Sequence, residues 1–316
     1  MIESGSLSPG VTAGNFGLPA GTALRYERPA EALRPLLPSY AVLDSDTTIW
    51  QGPGSWALPG WAQIWIVLTD GPITVRIRNR DYAPLGSAVI YGGTSRAMPV
   101  TSRGGVTVVV DVSPMGWARL IDAPAEQCRD RIQPLDQFLP ADWTDELVAR
   151  MHGSDRAGEV KGLLDDFFLT RLPPPHRDEA AIARINARLL SQASMESRAA
   201  AADLGLHPRT LLRLCARHFA YGPKMLMRRT RFLRILTDMM MKNEMPDSHV
   251  PPPGYHDVPH FLRDGKQFLG ITPRQFLAMP MPYLRAVLRA RTLVLGAPVP
   301  LLDRNLEAPA LRPIAA

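Results

Sequence analysis

The chain has 316 residues, 46% of them hydrophobic and 21% charged, which is enough for about two packed domains. The sequence shows no apolar run of about eighteen residues and no basic segment followed by an apolar one. It therefore predicts a cytoplasmic protein without a membrane span or export signal. Cys128 and Cys215 are too few for a disulfide framework or a four-thiolate zinc site, so we expect each to be a small buried residue.

Charge is distributed unevenly along the chain. Residues 1–175 carry 15 Lys+Arg and 19 Asp+Glu, a net charge of −4, whereas residues 176–316 carry 21 and 11, a net charge of +10. A basic part beside an acidic part is typical of a nucleic-acid-binding module joined to a domain with another role. A solvated basic face would give the same pattern, so charge alone leaves both interpretations open.

The N-terminal part is predicted to be β-rich over residues 1–122. Short β-prone runs bounded by Gly and Pro recur there, and "ITVRIR" alternates apolar and basic residues as a half-buried antiparallel strand does. This spacing predicts a small antiparallel barrel or sandwich. Residues 123–172 show helical spacing and are expected to pack on the β domain or to pair with a second subunit. The prolines of residues 173–178 predict a linker.

Residues 179–280 have a wholly helical pattern. Asp178 is expected to cap the first of these helices. A run of alanines before Gly205 supplies small side chains where two helices cross and a residue that tolerates left-handed backbone in the turn, which is typical of a helix-turn-helix. In the next helix, "PRTLLRLCARHF", the apolar residues are expected to be buried and the arginines to face outward. Arginine on such a face can pair with guanine or neutralise phosphate in a major groove.

An internal repeat at an offset of fifty residues predicts a second unit. Phe261–Arg263 align with Leu211–Arg213, and the segments that follow align as well. The helix "PKMLMRRTRFLRILTDMMMK" between the copies is expected to hold them at a fixed separation. A zinc site at His249, His256 and His260 is the alternative, but the repeat explains these histidines without a metal.

The order, spacing and length of these segments resemble the AraC/XylS family of bacterial transcription regulators over roughly residues 177–279. The matching segments are "AAAADLGLHPRTLLRLCARHFAYGPKMLMRRTRFLRIL" and "GYHDVPHFLRDGKQFLGITPRQF". The resemblance implies two helix-turn-helix units joined by a helix and reading promoter DNA, with RNA polymerase as a partner. It also implies a cupin-like effector or assembly domain ahead of them and leaves residues 281–316 as a C-terminal extension.

Carried over position by position, the resemblance also implies a set of DNA contacts. The base-facing residues are Arg209, Leu212 and Arg213 in the first unit, and Pro259, Leu262 and Arg263 in the second. Phosphate contacts are expected from His207, Thr210, Arg217, Arg228, Arg229, His260 and Lys266. Four tryptophans of the β domain are candidates for lining an effector pocket, although aromatic residues are more often simply core; they are Trp50, Trp56, Trp61 and Trp65.

Some positions depart from the family pattern. Cys215 and Gly265 stand where an apolar, usually aromatic, residue is expected, and Ala220 replaces a glycine. The segment "PDSHVPPPG" occupies the place of the helix that should support the second recognition helix. Three consecutive prolines cannot continue an α-helix, so this helix is predicted to be truncated or replaced by an extended segment, with the second unit held less firmly.

The sequence thus predicts an α+β protein that acts as a transcription regulator, with activation the commoner outcome in the family. A small-molecule effector and a homodimer are expected, with no catalytic residue, metal or cofactor. The alternative is a β-domain hydrolase or isomerase with an accessory nucleic-acid-binding module. The chain has no GxSxG motif, and residues 40–120 contain no histidine for a cupin-type metal.

Overall fold

The computed structural model describes residues 1–50, 55–68, 73–102, 104–121, 123–191 and 198–304. Antiparallel sheets occupy the N-terminal part and helices alone the C-terminal part, so the predicted α+β class is confirmed. Residues 305–316 of the predicted C-terminal extension lie outside the described residues.

Two antiparallel sheets form the β part. The strands are β1 (Thr22–Glu27), β2 (Tyr40–Ser45), β3 (Ser55–Ala57), β4 (Ala62–Leu68), β5 (Thr74–Ile77), β6 (Arg80–Tyr82), β7 (Ala88–Tyr91), β8 (Met98–Thr101), β9 (Gly105–Val112) and β10 (Ile132–Pro134). One sheet has the order β1-β2-β9-β4-β7-β10, and the other has the order β3-β8-β5-β6.

The larger sheet separates two cores. Along β4, Ile64 and Ile66 belong to a core shared with the helices, whereas Trp65 and Val67 belong to the core between the two sheets. This division follows from the strand itself, because successive side chains point to opposite faces. Both faces of the sheet are therefore covered.

Eleven helices lie within the described residues. They are α1 (Pro114–Leu120), α2 (Ala125–Cys128), α3 (Ala141–His152), α4 (Val160–Thr170), α5 (Glu179–Leu190), α6 (Arg198–Asp203), α7 (Pro208–Phe219), α8 (Pro223–Lys242), α9 (Val258–Leu269), α10 (Pro273–Ala278) and α11 (Pro282–Leu295). Leu147 of α3 and Leu164 and Phe167 of α4 are buried in the core shared with the larger sheet.

The pair α6–α7 has the features that its sequence predicts. Gly205 adopts a φ of +64° in the turn, which glycine allows without strain. The apolar side chains of α7, among them Leu211 and Leu214, are buried. Ala220, which ends α7, has a φ of +67°. This left-handed backbone explains why the family pattern has a glycine at this position.

Between α8 and α9 the chain is not helical, as the prolines predict. Asp257 caps α9 by accepting a hydrogen bond from the backbone N–H of His260 at 2.6 Å. Gly265, in the middle of α9, lies against the first residue of α10. A Cβ built on Gly265 would lie 2.4 Å from Cδ of Pro273, so the close approach of these helices requires glycine.

Helix α11 returns to the β part. Arg28 donates a hydrogen bond to the carbonyl of Val294 at 2.9 Å, and Arg289 donates one to the carbonyl of Phe16 at 3.1 Å. Val294 and Leu295 also join the core between the sheets. The predicted extension therefore contains a helix that docks on the β domain.

In the part of the chain that the structure describes, no helix has the length and apolar character needed to span a membrane.

We predict that Gly265→Ala lowers the free energy of unfolding by about 1–3 kcal/mol, because the new methyl group overlaps the Pro273 ring and forces the helices apart. Gly162→Ala is the matched control, since Gly162 is also helical and has no atom within 4 Å of a built Cβ. It should stabilise the protein by about 0.4–1 kcal/mol, because alanine lowers the conformational entropy of the unfolded chain. Urea unfolding gives the change in the free energy of unfolding for each variant. Changes of the same sign in both variants would contradict the packing argument.

Candidate nucleic-acid interface

The N-terminal part of α7 presents three of the predicted base-facing residues to solvent. Arg209, Leu212 and Arg213 are exposed, and the Leu212 residue is 56% exposed. A leucine this exposed buries little apolar surface within the chain. A large apolar side chain between two exposed arginines is compatible with contact to a thymine methyl group.

The opposite face of α7 anchors the helix. His207 is its N-cap, and its Nδ1 accepts a hydrogen bond from the backbone N–H of Arg209 at 3.3 Å. Cys215 is fully buried where the family pattern has a larger residue, and burial raises the pKa of its thiol to about 12. The thiol is therefore a packing group, as the sequence indicates, and Cys128 is buried as well.

In the second unit, Pro259 and Arg263 of α9 are exposed and Leu262 is half-buried. They occupy the same turns of α9 that the exposed residues occupy in α7, since the repeat offset is fifty residues. The structure thus brings both predicted sets to the outer faces of two helices that pack on α8.

A buried carboxylate holds α9 in place of a supporting helix. Asp264 is fully buried, and its Oδ1 accepts hydrogen bonds from Nε and Nη2 of Arg228 at 2.9 and 2.5 Å. Its Oδ2 accepts one from the hydroxyl of Tyr255 at 2.7 Å and a longer one from Nη2 of Arg231 at 3.4 Å. Both oxygens are satisfied, which a buried charge requires.

The proline segment contributes Tyr255 to this cluster. Tyr255 is buried, and its backbone N–H donates to the carbonyl of Pro252 at 3.0 Å, so the prolines shape a turn that directs the ring under α9. Its ring packs edge-on against Phe261 with centroids 5.1 Å apart, and Phe232 of α8 contacts Phe261 from the other side. Burial and Asp264 raise the pKa of Tyr255, so its hydroxyl stays protonated. Both the ionic cluster and these aromatic contacts therefore hold α9 where no supporting helix precedes it.

Five of the predicted phosphate contacts are accessible and are bonded neither to Asp264 nor to the β part. His207 and Lys266 are exposed, and the other three are half-buried; these are Thr210, Arg217 and His260. The ring of His260 lies 3.2 Å from Nη2 of Arg231. The neighbouring His256 has a side chain that is 95% exposed.

The predicted phosphate role of Arg229 requires correction. Arg228 is half-buried and paired with Asp264. Arg229 is only 2% exposed, and its Nη1 donates to the carbonyl oxygens of Gly60 at 3.0 Å and Thr94 at 2.8 Å, both in the β part. Periodicity alone assigns an arginine-rich helix to solvent or phosphate, whereas here one of its faces is covered by another part of the chain.

Further contacts join the two parts on either side of Arg229. The hydroxyl of Tyr221 donates to the carbonyl of Gly93 at 2.8 Å. The backbone N–H of Ala97 donates to the carbonyl of Phe268, at the end of α9, at 2.7 Å. The β part thus contacts the chain at the C-terminal ends of both α7 and α9, while Arg209 and Pro259, near their N-terminal ends, are exposed.

A cavity of about 270 Å³ lies between the sheets and α11. All four candidate tryptophans line it, namely Trp50, Trp56, Trp61 and Trp65. Trp65 and Trp61 are buried, and Trp65 packs against Tyr91 with ring centroids 4.4 Å apart. The structure therefore brings together residues that the sequence could propose only from their composition.

The polar side of the cavity was not predicted from the sequence. Asp111 of β9 accepts a hydrogen bond from Nε2 of Gln63 at 2.8 Å. Arg291 of α11 donates from Nη1 to the carbonyl of Ala297 at 2.6 Å, and its Nη2 lies 3.8 Å from Asp111. Within the described residues, Nε and Nη2 of Arg291 have no hydrogen-bond partner. No local motif marks Arg291, because it meets the cavity only through the long-range docking of α11.

The cavity wall is also the surface on which the helical part rests. Gly60 and Thr94 line the cavity and are the residues whose carbonyls hold Arg229. Trp56 lines it too and packs edge-on against Phe276 of α10, with centroids 5.4 Å apart. A change in the cavity can therefore reach the helices through one layer of residues.

No protein-family model matches the sequence, and no curated protein matches it. The chain is similar to the solved structure of ToxT from Vibrio cholerae bound to an unsaturated fatty acid, with 12% identity and a TM-score of 0.40 over 72% of this chain and 90% of that chain. ToxT bound to (E)-4-(8-methylnaphthalen-1-yl)but-3-enoic acid gives 13% identity and a TM-score of 0.38 over 72% of this chain and 95% of that chain.

The AraC-like transcriptional activator CuxR is a further similar structure, with 13% identity and a TM-score of 0.23 over 62% of this chain and 73% of that chain. CuxR is described as AraC-like, and the AraC/XylS family is the one that the sequence resembles. Similarities this distant transfer no function to the chain.

We predict that Asp264→Ala destabilises the protein by about 1–3 kcal/mol, because Tyr255, Arg228 and Arg231 lose their acceptor. Tyr255→Phe removes only one of these hydrogen bonds and should cost less. Thermal and urea unfolding measure both effects. An Asp264→Ala variant as stable as the wild type would show that α9 is held by its apolar contacts alone.

Proposed function

We propose that the protein is a sequence-specific DNA-binding transcription regulator of the AraC/XylS type, without enzymatic activity. The observation that supports this most directly is the pair of exposed, arginine-bearing helix ends on α7 and α9, both supported by α8. Helix α8 has 20 residues and is about 30 Å long. Because α7 and α9 both pack on this one helix, their exposed ends are held in a fixed relation, as entry into successive major grooves on one side of a duplex requires.

Within this function the exposed side chains have different roles. Arg209, Arg213 and Arg263 pair with guanine, and Leu212 contacts a thymine methyl group. Pro259 and Leu262 complete the contact surface of α9. Phosphate contacts come from the accessible members of the predicted set, which are His207, Thr210, Arg217, His260 and Lys266.

The cavity between the sheets is the proposed effector site. Aromatic walls with a few convergent polar groups are typical of small-molecule sites, and the cavity combines Trp61 and Trp65 with Arg291 and Asp111. Because Gly60 and Thr94 belong to its wall and also hold Arg229, an effector would alter how the helical part rests on the β part. This coupling makes the regulator responsive to its ligand.

The remaining proposals concern assembly and output. The β domain is assigned to residues 1–122, the linker to residues 173–178 and the DNA-binding domain to residues 179–280. Residues 123–172 are proposed to mediate a homodimer, since Leu169 on α4 is a large apolar residue that is exposed. Sedimentation of the wild type and of Leu169→Glu tests this, and equal particle masses for the two would refute it.

The protein is proposed to act in the cytoplasm as an activator that contacts RNA polymerase. Transcription from a bound promoter, measured with the purified components, tests this proposal.

We predict that Arg213→Ala weakens binding to a selected DNA site by about 1–3 kcal/mol and relaxes the base preference at one position, because it removes a bidentate contact to a base edge. Binding-site selection followed by affinity measurement on selected and random DNA gives both values. An equal loss on the two kinds of DNA would reassign Arg213 to the phosphate contacts.

Two variants calibrate that measurement. Lys266→Ala should weaken binding to selected and random DNA alike, since Lys266 is exposed on α9 and neutralises a phosphate. The slope of log affinity against log salt concentration, here called the salt slope, should fall in magnitude by about one unit. Arg76→Ala also removes one positive charge, but from the exposed surface of β5 in the smaller sheet, so it should leave the salt slope unchanged.

We predict that Ala41→Phe lowers the affinity for any ligand of the cavity at least tenfold, because Ala41 is buried in the wall and the added ring fills the space. Screening small amphipathic compounds by thermal shift, with tryptophan fluorescence as a second signal, identifies ligands for this comparison. Ala149→Phe, on an exposed position of α3 and away from this cavity, is the control. Ligands that bind both variants as they bind the wild type would place the effector site elsewhere.

A further inference from the structure

Three metal-ligating side chains meet where the interdomain linker reaches the end of α7. His218 on α7 has a side chain that is only 2% exposed, and its Nε2 lies 2.9 Å from Oδ2 of Asp178. His176, two residues before Asp178, has its Nδ1 4.0 Å from the same oxygen. The possible ligand atoms of the three residues all lie within 4.8 Å of one another.

This arrangement differs from the one that the sequence predicts. Asp178 occupies the N-cap position of α5, yet its side chain makes no capping hydrogen bond and is directed to His218 instead. Nδ1 of His218 is buried and has no hydrogen-bond partner among the described residues. A metal would bind Nε2, the ring nitrogen that faces Asp178, in place of the present hydrogen bond, while Nδ1 lies on another edge of the ring.

We propose that His176, Asp178 and His218 form a site for a divalent transition-metal ion of the zinc class. Two imidazoles and one carboxylate are a donor set that zinc accepts, with a water molecule or another ligand in the fourth position. Tetrahedral coordination at 2.0–2.2 Å separates neighbouring ligand atoms by about 3.3–3.5 Å. The carboxylate and His218 are already close to this spacing, and the His176 ring has to move by roughly 1 Å.

The surroundings fit a three-residue site with an open fourth position. A cavity of about 230 Å³ lies beside the two histidines and gives room for that ligand. Arg119 also borders this cavity, but Nε and Nη2 of Arg119 each donate to Glu179 at 2.6 Å, so its charge is offset. Arg217 lines the cavity as well and would favour an anionic ligand such as hydroxide or chloride.

Zinc binds the neutral imidazole and the ionised carboxylate, so zinc binding at this site should weaken at low pH, where these ligands take up protons. Nδ1 of His176 now accepts a hydrogen bond from the backbone N–H of Asp178 at 3.1 Å, and the metal would replace this hydrogen bond.

A metal at this position would join the linker to the first recognition helix. His176 and Asp178 both lie in the linker, directly before α5, while His218 lies in the last turn of α7. An ion that binds only the folded arrangement stabilises it in proportion to its affinity. The ion would therefore hold α7 against the linker independently of DNA or effector.

The test is zinc binding to the full chain, freed of any histidine tag and treated with a chelator. Competition against a chromogenic chelator should give one Zn²⁺ per chain, and zinc should raise the melting temperature. His176→Ala and Asp178→Asn should each weaken zinc binding at least about tenfold. Both replaced residues are partly exposed, and Asp178→Asn keeps the side-chain shape; circular dichroism checks that each variant is folded.

His256→Ala is the control, since it removes a histidine whose side chain faces solvent, and it should bind zinc as the wild type does. Cobalt gives a second signal, because tetrahedral Co²⁺ absorbs strongly in the visible range, and this absorption should be lost in His176→Ala. Wild-type protein that binds no zinc, or His176→Ala that binds it as tightly as the wild type, would overturn the proposal. DNA is absent from all these measurements, so their result does not depend on the proposed regulatory function.

Discussion

The buried guanidinium of Arg229 fixes how the helical part lies on the β part. Its charge is removed from water, and burial lowers its pKa, although an arginine stays protonated in proteins. Such a group is tolerated only when its N–H groups find acceptors. Two backbone carbonyls, those of Gly60 and Thr94, accept from Nη1, and the Tyr221 ring lies 5.4 Å from the guanidinium carbon, while Nε has no hydrogen-bond partner among the described residues. Because backbone acceptors have fixed positions, the contact selects one docking geometry and excludes neighbouring ones.

The second helical unit shows how a buried ionic cluster substitutes for a missing helix. An α-helix in front of α9 would support it by apolar packing, and the prolines at 251–253 prevent that. Asp264 takes over by linking α9 to two arginines of α8 and to Tyr255. Arg228 and Arg231 each remain more than a quarter exposed in their side chains, so water lowers the cost of keeping the charges there. The same cluster thus pairs Arg228 and Arg231 of α8 with a carboxylate of the protein.

A structural feature could be predicted from the sequence when the residues that cause it are neighbours along the chain. The buried face of α7, the turn at Gly205 and the absence of a helix before α9 follow from neighbouring residues, and all three predictions are confirmed. Arg229 has the same local pattern as an exposed arginine, and only residues more than 130 positions away bury it. Arg291 and the His176–Asp178–His218 group are hidden in the same way, since no spacing within one segment brings their partners together.

The position of the cavity sets a physical condition on the proposed regulation. A ligand shifts an equilibrium between two docking geometries only as far as it binds one of them more tightly than the other. Gly60 and Thr94 are tied to each other by two hydrogen bonds, from the N–H of Gly60 to Oγ1 of Thr94 and from the N–H of Thr94 to the carbonyl of Gly60, both at 3.0 Å. The carbonyl of Gly60 thus accepts from Thr94 and from Arg229 at once. A ligand that displaces this wall must move both residues together, and it thereby weakens both hydrogen bonds from the guanidinium of Arg229. A ligand that fits the cavity without moving the wall stabilises the docked geometry. The sign of the response is therefore decided by the size of the ligand relative to the existing space, and not by contacts with the DNA-facing helices.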